Sequence, residues 1–471
     1  MRITIVGSGY VGLVSGACFA AWGHQVICVD NDARKIADLR QGIIPIYEPG
    51  LESLVRQGIK AATLSFTTDC AAAVDGSSVV MIAVGTPPRP RDGNADLSFL
   101  YGAVKEVATA LTGYAVIVTK STVPVGTGDE IARIVSRTRP DAEFSVASNP
   151  EFLREGSAVG DFLQPDRIVV GAMDAPAFAM LDRLYAPLIG AGIAVVKTER
   201  RTAELIKYAA NAFLAVKISF INEVADLCER VDADIEKVSL GIGLDRRIGA
   251  SFLKAGPGFG GSCFPKDTLA LLRTSQDYGV PLRLVEETVA VNDARKRRMA
   301  LKVIDALGGS VDGEVIAILG LAFKADTDDV RETPAFPLIE ALQRAGARIR
   351  AFDPQAMERS RAILDEVTFC TDPYQCADGA SAIVLVTDWP EFRDLEFPRL
   401  AKIMRRRTLI DLRNAVDADA AGVSGFTVTS IGRPTAAQPH GRKANQTQEE
   451  GSDIGAIYAK PENPQHRHGV M

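Results

Sequence analysis

The apolar positions of this chain fall into short unbroken runs, separated by glycine turns and by stretches of amphipathic, helix-like spacing. Runs of that kind are the signature of strands buried on both faces, so the pattern predicts parallel sheets with helices packed on them. Residues 2–6 predict the first strand, Gly7-Ser8-Gly9-Tyr10-Val11-Gly12 a tight turn, and the small residues Gly16, Ala17, Ala20 and Ala21 a closely packed helix. A second strand, Gln25 to Val29, ends in Asp30. Further buried strands are expected at Val79 to Val84, ending in Gly85-Thr86-Pro87-Pro88, and at Ala115 to Val118, ending in Thr119-Lys120-Ser121-Thr122. From 201 to about 231 runs the longest helical pattern, roughly 45 Å of helix at 1.5 Å per residue. Beyond a glycine-rich loop, residues 313–324 start a second strand, turn and helix unit, and further strands follow at 348–352, 382–386 and 408–410.

Strand, GxGxxG turn, helix, strand and acid in that order form a dinucleotide site: the glycines let a pyrophosphate reach the helix N-terminus, and Asp30 accepts hydrogen bonds from ribose hydroxyls. A carboxylate there repels a 2'-phosphate, so NAD is preferred over NADP. Arg34 either flanks the adenine or is a solvated helix charge. Thr86, Ser121 and Thr122 stand at strand ends, where ligands of doubly wound sheets lie. The expected fold is α/β, with two Rossmann-like doubly wound domains joined by a long central helix. Residues 1–200 form the NAD-binding domain, 201–300 the central helical linker and dimerisation region with the cysteine loop, 301–432 a second Rossmann-like domain, and 433–471 a disordered tail rich in Pro, Gln and Asn.

Candidate chemistry centres on Gly258-Phe259-Gly260-Gly261-Ser262-Cys263-Phe264-Pro265-Lys266-Asp267, a cysteine presented by a glycine loop. Lys266 is expected to lower the thiol pKa, and Asp267 to hold a water or accept a proton. Glu151 and Glu155, four apart after a strand end, would share a face if that segment is helical, and one of them would serve as general acid or base. On the long helix Glu204, Lys207, Asn211 and Asn222 fall within about 60° of one another, a polar stripe expected to line a cleft.

Composition narrows the function. The chain has 471 residues, 47% hydrophobic and 24% charged, and a net charge of −6, which gives no general attraction to nucleic acid or anionic membrane. No apolar run suits a membrane span, and the first residues leave no room for a signal peptide, so a cytoplasmic location is expected. Seven scattered cysteines without a CxxC pair argue against disulfides and zinc; His466 and His468 in the tail are read as solvated rather than metal-binding.

Together with Tyr47-Glu48-Pro49-Gly50-Leu51, Val84-Gly85-Thr86-Pro87-Pro88, Ser121-Thr122-Val123-Pro124, Asn149-Pro150-Glu151-Phe152-Leu153 and Gly320-Leu321-Ala322-Phe323-Lys324, these motifs resemble the nucleotide-sugar 6-dehydrogenases over residues 1 to about 430. The resemblance implies four-electron oxidation of UDP-glucose to UDP-glucuronate with two NAD+, through a cysteine thiohemiacetal and thioester, in a homodimer or higher homo-oligomer. It implies that Cys263 is the nucleophile, that Lys207, Asn211 and Asp267 surround the reacting carbon, and that Thr122 and Glu151 serve the proton and water steps. At the sugar nucleotide it places Glu151, Phe152, Leu153, Lys207, Asn211, Phe252, Lys254, Gly260, Phe323 and Lys324, with Arg247 reaching in from another subunit. Arg413 is placed near the diphosphate, though its context, Asp-Leu-Arg-Asn, departs from the Asp-Gly-Arg of animal members. The cofactor is assigned to Gly7, Gly9, Tyr10, Val11, Gly12, Asp30, Arg34, Lys35 and Thr86, and on its far side to Ser121, Thr122, Glu155, Lys266 and Arg331. Siblings acting on GDP-mannose or an N-acetylated UDP-sugar share most of these motifs. A single-step 2-hydroxy acid dehydrogenase would not need the cysteine, and a NAD-responsive binding protein would not need the reactive set.

Overall fold

The computed structural model describes residues 1–87, 89 and 95–434. Pro88 and the expected tail beyond 434 therefore lie outside the described residues, while Arg433 is held by Asp234 and Glu236.

Eight strands build the first sheet: β1 (Arg2–Val6), β2 (Gln25–Val29), β3 (Leu64–Thr67), β4 (Val79–Ile82), β5 (Ala115–Thr119), β6 (Phe144–Ser148), β7 (Arg167–Ala172) and β8 (Ala194–Thr198). Their order is β3-β2-β1-β4-β5-β6-β7-β8, parallel except where β7 runs against β6. The order reverses between β1 and β4, which opens the crevice in which doubly wound sheets hold ligands. Every residue of β4 and β5 is buried, as unbroken apolar runs require. Gly7, at φ +102°, turns the chain out of β1, and a Cβ there would stand 2.7 Å from the Ala83 carbonyl oxygen. A Cβ on Gly12 would stand 1.8 Å from the Gly7 carbonyl oxygen, so helix Tyr10–Ala21 can lie against the turn only with glycine at that position.

The second sheet comprises β9 (Val315–Leu319), β10 (Arg348–Phe352), β11 (Val367–Phe369), β12 (Ala382–Leu385), β13 (Thr408–Asp411) and β14 (Thr427–Ser430), in the order β11-β10-β9-β12-β13-β14 and wholly parallel. It repeats the winding of the first six strands. β9 leads into a loop carrying Phe323 and Lys324, pinned by Asp353, whose Oδ2 accepts the amides of Leu321 (2.7 Å) and Ala322 (3.0 Å).

Between the sheets runs the helix Arg200–Arg230, 31 residues long. Its first half is tied to the first sheet through Glu204; its second half, through Ile221, Ala225 and Cys228, belongs to the core under the second sheet. Helix Phe264–Asp277, headed by Cys263, and helix Arg283–Ala306 pack along it. The expected division at residue 300 falls inside the latter helix. Among the described residues no helix is long and apolar enough to cross a membrane, and no group of His, Cys, Asp and Glu side chains is arranged to hold a metal.

Candidate active site

Two cavities meet at the cysteine loop. The larger, about 1320 Å³, opens at the carboxyl ends of β1, β4 and β5 and is lined by Gly7, Gly9, Tyr10, Val11, Asp30, Lys35, Thr86, Ser121 and Thr122. A Cβ on Gly9 would meet nothing within 4 Å, so at this turn the backbone faces open space, as close approach of a pyrophosphate to a helix N-terminus requires. Asp30 is fixed in place: its Oδ2 accepts from the Ser8 amide (3.0 Å) and from Lys35 Nζ (2.9 Å). These residues fit a dinucleotide with a ribose against Asp30. Gly12 serves helix packing and is not on the cavity wall; Arg34 is exposed outside it, its amide capped by Asp32. The hydroxyls of Thr86 and Ser121 face the cleft region but donate to the Thr122 and Val84 carbonyls (2.9 and 2.7 Å), so turn chemistry and position coincide there.

The smaller cavity, about 810 Å³, lies between the long helix, the 149–155 loop and the second sheet. Phe152, Lys207, Asn211, Phe252, Lys254, Gly260, Phe323, Lys324 and Arg413 all line it. Phe252 holds φ +64°, a strained setting for a bulky residue, on the cavity wall. Arg413 donates to the carbonyls of Val386 and Phe323 (both 2.7 Å), and Lys254 pairs with Asp388 at 2.8 Å. Arg247 is exposed, paired with Asp245, and lies away from this cavity of its own chain.

Glu151, Leu153, Glu155, Gly261, Ser262 and Cys263 border both cavities, so the thiol sits at their junction. Gly261, at φ +82°, makes this possible: a Cβ there would stand 2.7 Å from the Phe323 ring. Lys207, buried, pairs with Glu151 Oε1 at 3.0 Å, and Glu151 Oε2 accepts the Leu153 amide at 2.5 Å. Asp267, also buried, accepts from Asn211 Nδ2 (2.6 Å) and Lys266 Nζ (2.7 Å).

The electrostatics correct one expectation. Burial, reinforced by Glu151, pushes the Cys263 thiol up to about 11, and the cation that opposes this is Lys207. Lys266 is engaged by Asp267 instead and does not lower the thiol pKa. The resting thiol is thus neutral. Burial works against the Lys207 ammonium, but Glu151, Cys263 and Asp267 outweigh it and its pKa is raised.

Two further expectations differ from the structure. The segment from Asn149 to Gly156 is loop, not helix: the Glu151 carboxylate takes the Leu153 amide two residues on, a local bond that competes with a helical turn, yet both carboxylates still reach the junction. Glu204 does not line the cleft with Lys207, Asn211 and Asn222; it is buried under the amides of Gly126 (2.7 Å) and Gly128 (2.8 Å) and the Ser148 hydroxyl (2.9 Å). The stripe is therefore divided between an anchor and a cavity wall.

Sequence reasoning missed the network around Glu155. It accepts from Ser262 Oγ (2.8 Å) and approaches Arg331 (3.4 Å), which is paired with Asp329 (2.7 Å). Burial, with Asp329 close by, raises the Glu155 pKa to about 7. Lys120 and Tyr185, on the wall of the smaller cavity, were also passed over. No spacing signal links residues so far apart in the chain.

Comparison with known proteins agrees with this geometry. Models of the UDP-glucose/GDP-mannose dehydrogenase family match in three parts: the NAD binding domain at residues 1–189, the central domain at 201–294 and the UDP binding domain at 317–418. A UDP-glucose 6-dehydrogenase of Rhizobium meliloti (strain 1021) is 56% identical over 436 residues, covering 92% of this chain and 100% of the relative. One from Bacillus subtilis (strain 168) is 46% identical, covering 92% and 93%. Among solved structures, a UDP-glucose dehydrogenase from Pyrobaculum islandicum superposes with a TM-score of 0.83 at 40% identity, covering 89% of this chain and 95% of that one. A UDP-D-ManNAc dehydrogenase from Pyrococcus horikoshii gives 0.81 at 28% identity, covering 92% and 99%.

Proposed function

Because the chain belongs to the UDP-glucose/GDP-mannose dehydrogenase family, we propose that it oxidises UDP-glucose to UDP-glucuronate with two NAD+, through a sulfur-bound intermediate on Cys263. The observation that carries the reading is the thiol's place where the dinucleotide cleft and the second cavity join. The two neighbours with different sugars superpose almost equally well, so the choice of UDP-glucose rests on the 56% and 46% relatives.

The residues of the larger cleft would hold NAD+, which would supply the hydride acceptor, one molecule for each oxidation. The first oxidation removes a hydride from carbon and the hydroxyl proton from the sugar's primary alcohol, the proton passing to a carboxylate, and leaves an aldehyde. The Cys263 sulfur then adds to the aldehyde carbon as the C=O π bond opens, and the thiol proton, carried by a carboxylate, ends on the former aldehyde oxygen, giving a thiohemiacetal. Loss of a second hydride and the hydroxyl proton gives a thioester, and water releases the acid and restores the thiol. Since the resting thiol is neutral and the Lys207 ammonium is held protonated, the carboxylates Asp267 and Glu151 are the groups suited to receive the proton. Lys207 Nζ and Asn211 Nδ2, both buried on the long helix, are suited to bind the developing oxyanion. Thr122 and Glu151 are assigned to the water and proton steps, and Glu155, with Arg331, Lys266 and Ser121, to the border with the cofactor. Phe152, Phe252, Phe323, Lys324, Lys254 and Arg413 are assigned to the sugar nucleotide.

We assign the protein to a homodimer or a higher homo-oligomer. Phe213, Phe220 and Leu227, seven residues apart on the long helix, are 65%, 53% and 59% exposed, an apolar stripe that a second copy would cover. Arg247 would then reach a partner's cavity. A cytoplasmic setting suits seven free cysteines.

The test is to count NADH released per UDP-glucose supplied. Two are expected from the wild type, while Cys263→Ser is expected to stop after one or to release acid only slowly. Undiminished acid formation by that variant would remove the covalent route.

A further inference from the structure

Lys120 stands just past the end of β5, 5% exposed, on the wall of the smaller cavity. Its Nζ donates to Asn149 Oδ1 (3.0 Å) and to the Tyr185 hydroxyl (3.2 Å), and that hydroxyl donates to the same Asn149 oxygen at 2.6 Å. The Asn149 Nδ2 is in turn held by the Val169 carbonyl at 2.7 Å. An ammonium and a phenol thus converge on one amide oxygen, and both of the partners that Lys120 contacts directly are neutral.

Such an arrangement is costly. A buried ammonium without a carboxylate in contact is destabilised by desolvation, and a clamp of purely structural purpose needs no charge. Three titratable groups face Lys120: Glu151, which favours its charge, Lys207, which opposes it, and the Tyr185 phenol, driven upward by burial and so uncharged. Burial prevails and lowers the Lys120 pKa to about 8, within the range in which a dehydrogenase is assayed.

What the clamp holds is the base of the Glu151 turn. Asn149 is followed by Pro150, which restricts its backbone, and then by Glu151, whose carboxylate pairs with Lys207 beside the Cys263 thiol. Displacing Asn149 would move that pair relative to the sulfur.

We propose that Lys120 is a positioning residue for the oxidations: its ammonium locks the Asn149-Pro150-Glu151 turn so that the Glu151–Lys207 pair faces Cys263, and turnover requires it to be protonated. This rests on the function proposed above. Lys120→Met removes the charge while keeping most of the length of the side chain. Tyr185→Phe keeps the lysine and removes one acceptor, which makes the ammonium easier to deprotonate.

The experiment measures kcat and KM for UDP-glucose and NAD across pH, beside thermal melting, for the wild type and both variants. The wild type is expected to lose kcat as pH rises through about 8. Lys120→Met should lower kcat about 10- to 100-fold with KM for NAD unchanged, and should abolish that alkaline limb. Tyr185→Phe should move the limb down by roughly half a unit. A limb unchanged in both variants, or a loss of kcat that merely follows the loss of folded protein, overturns the proposal. Should Lys120→Met fail to fold, the shift in Tyr185→Phe decides alone. If the wild type itself releases no NADH from UDP-glucose, the functional reading falls first, and the role of Lys120 falls with it.

Discussion

Reactivity of the Cys263 thiol tests the electrostatics of the site without any substrate. A pKa of about 11, against an ordinary peptide thiol near 8.5, leaves about 300-fold less thiolate at pH 7.5. That difference corresponds to about 3 kcal/mol. The thiolate that does form is intrinsically more nucleophilic, which restores about tenfold for attack on a disulfide. Exchange with a small aromatic disulfide at pH 7.5 should therefore run roughly 20- to 30-fold slower than with a model peptide thiol. Its logarithm should rise with unit slope up to about pH 9.5. Cys263→Ser supplies the blank for the six other cysteines, all buried, and peptide mapping identifies the modified residue. Lys207→Met should slow exchange further, because Lys207 is the cation that opposes the rise. A plateau with a midpoint below pH 9 would refute the raised pKa, and one below pH 7.5 would show a thiolate at rest and remove the need for Asp267 or Glu151 to take the proton.

Other perturbations address neighbouring groups. The Glu155 carboxyl, raised from 4.5 to about 7 when folded, is stabilising to protonate, so its ionisation weakens the protein as pH rises through that window. Glu155→Gln should therefore gain up to about 3 kcal/mol relative to wild type at pH 8, and the gain should shrink towards pH 4.5; urea unfolding at several pH values would contradict this by giving a constant difference. Glu204→Ala leaves two amides and a hydroxyl without their acceptor and should cost about 3 kcal/mol in the same assay, whereas Asn211→Ala should chiefly lower kcat. Asp30→Ala should raise KM for NAD about tenfold and narrow the preference over NADP, read from initial rates with each cofactor.

The amino-acid sequence alone determined the elements whose signal is local. Unbroken apolar runs marked β1, β4 and β5, GxGxxG marked the turn at Gly7, and the spacing to Asp30 marked a carboxylate on the wall of the larger cavity. The long helix could be read to within a residue at each end, and the cysteine loop stood out because its glycines crowd around one thiol. Sidedness is another matter. Glu204 and Lys207 share a helix face, yet the first meets the Gly126 turn and the second meets Glu151, because the helix passes from one packing layer to another within a single turn. Which lysine acts on the thiol was likewise decided by folding: Lys266 is three residues away in the chain but is held by Asp267, while Lys207 comes from another helix with its charge stabilised by Glu151. The Glu155 and Lys120 clusters join segments up to 176 residues apart. Periodicity reports the surface each element buries against water; which buried charges then meet depends on how whole elements dock, and only the tertiary structure carries that information.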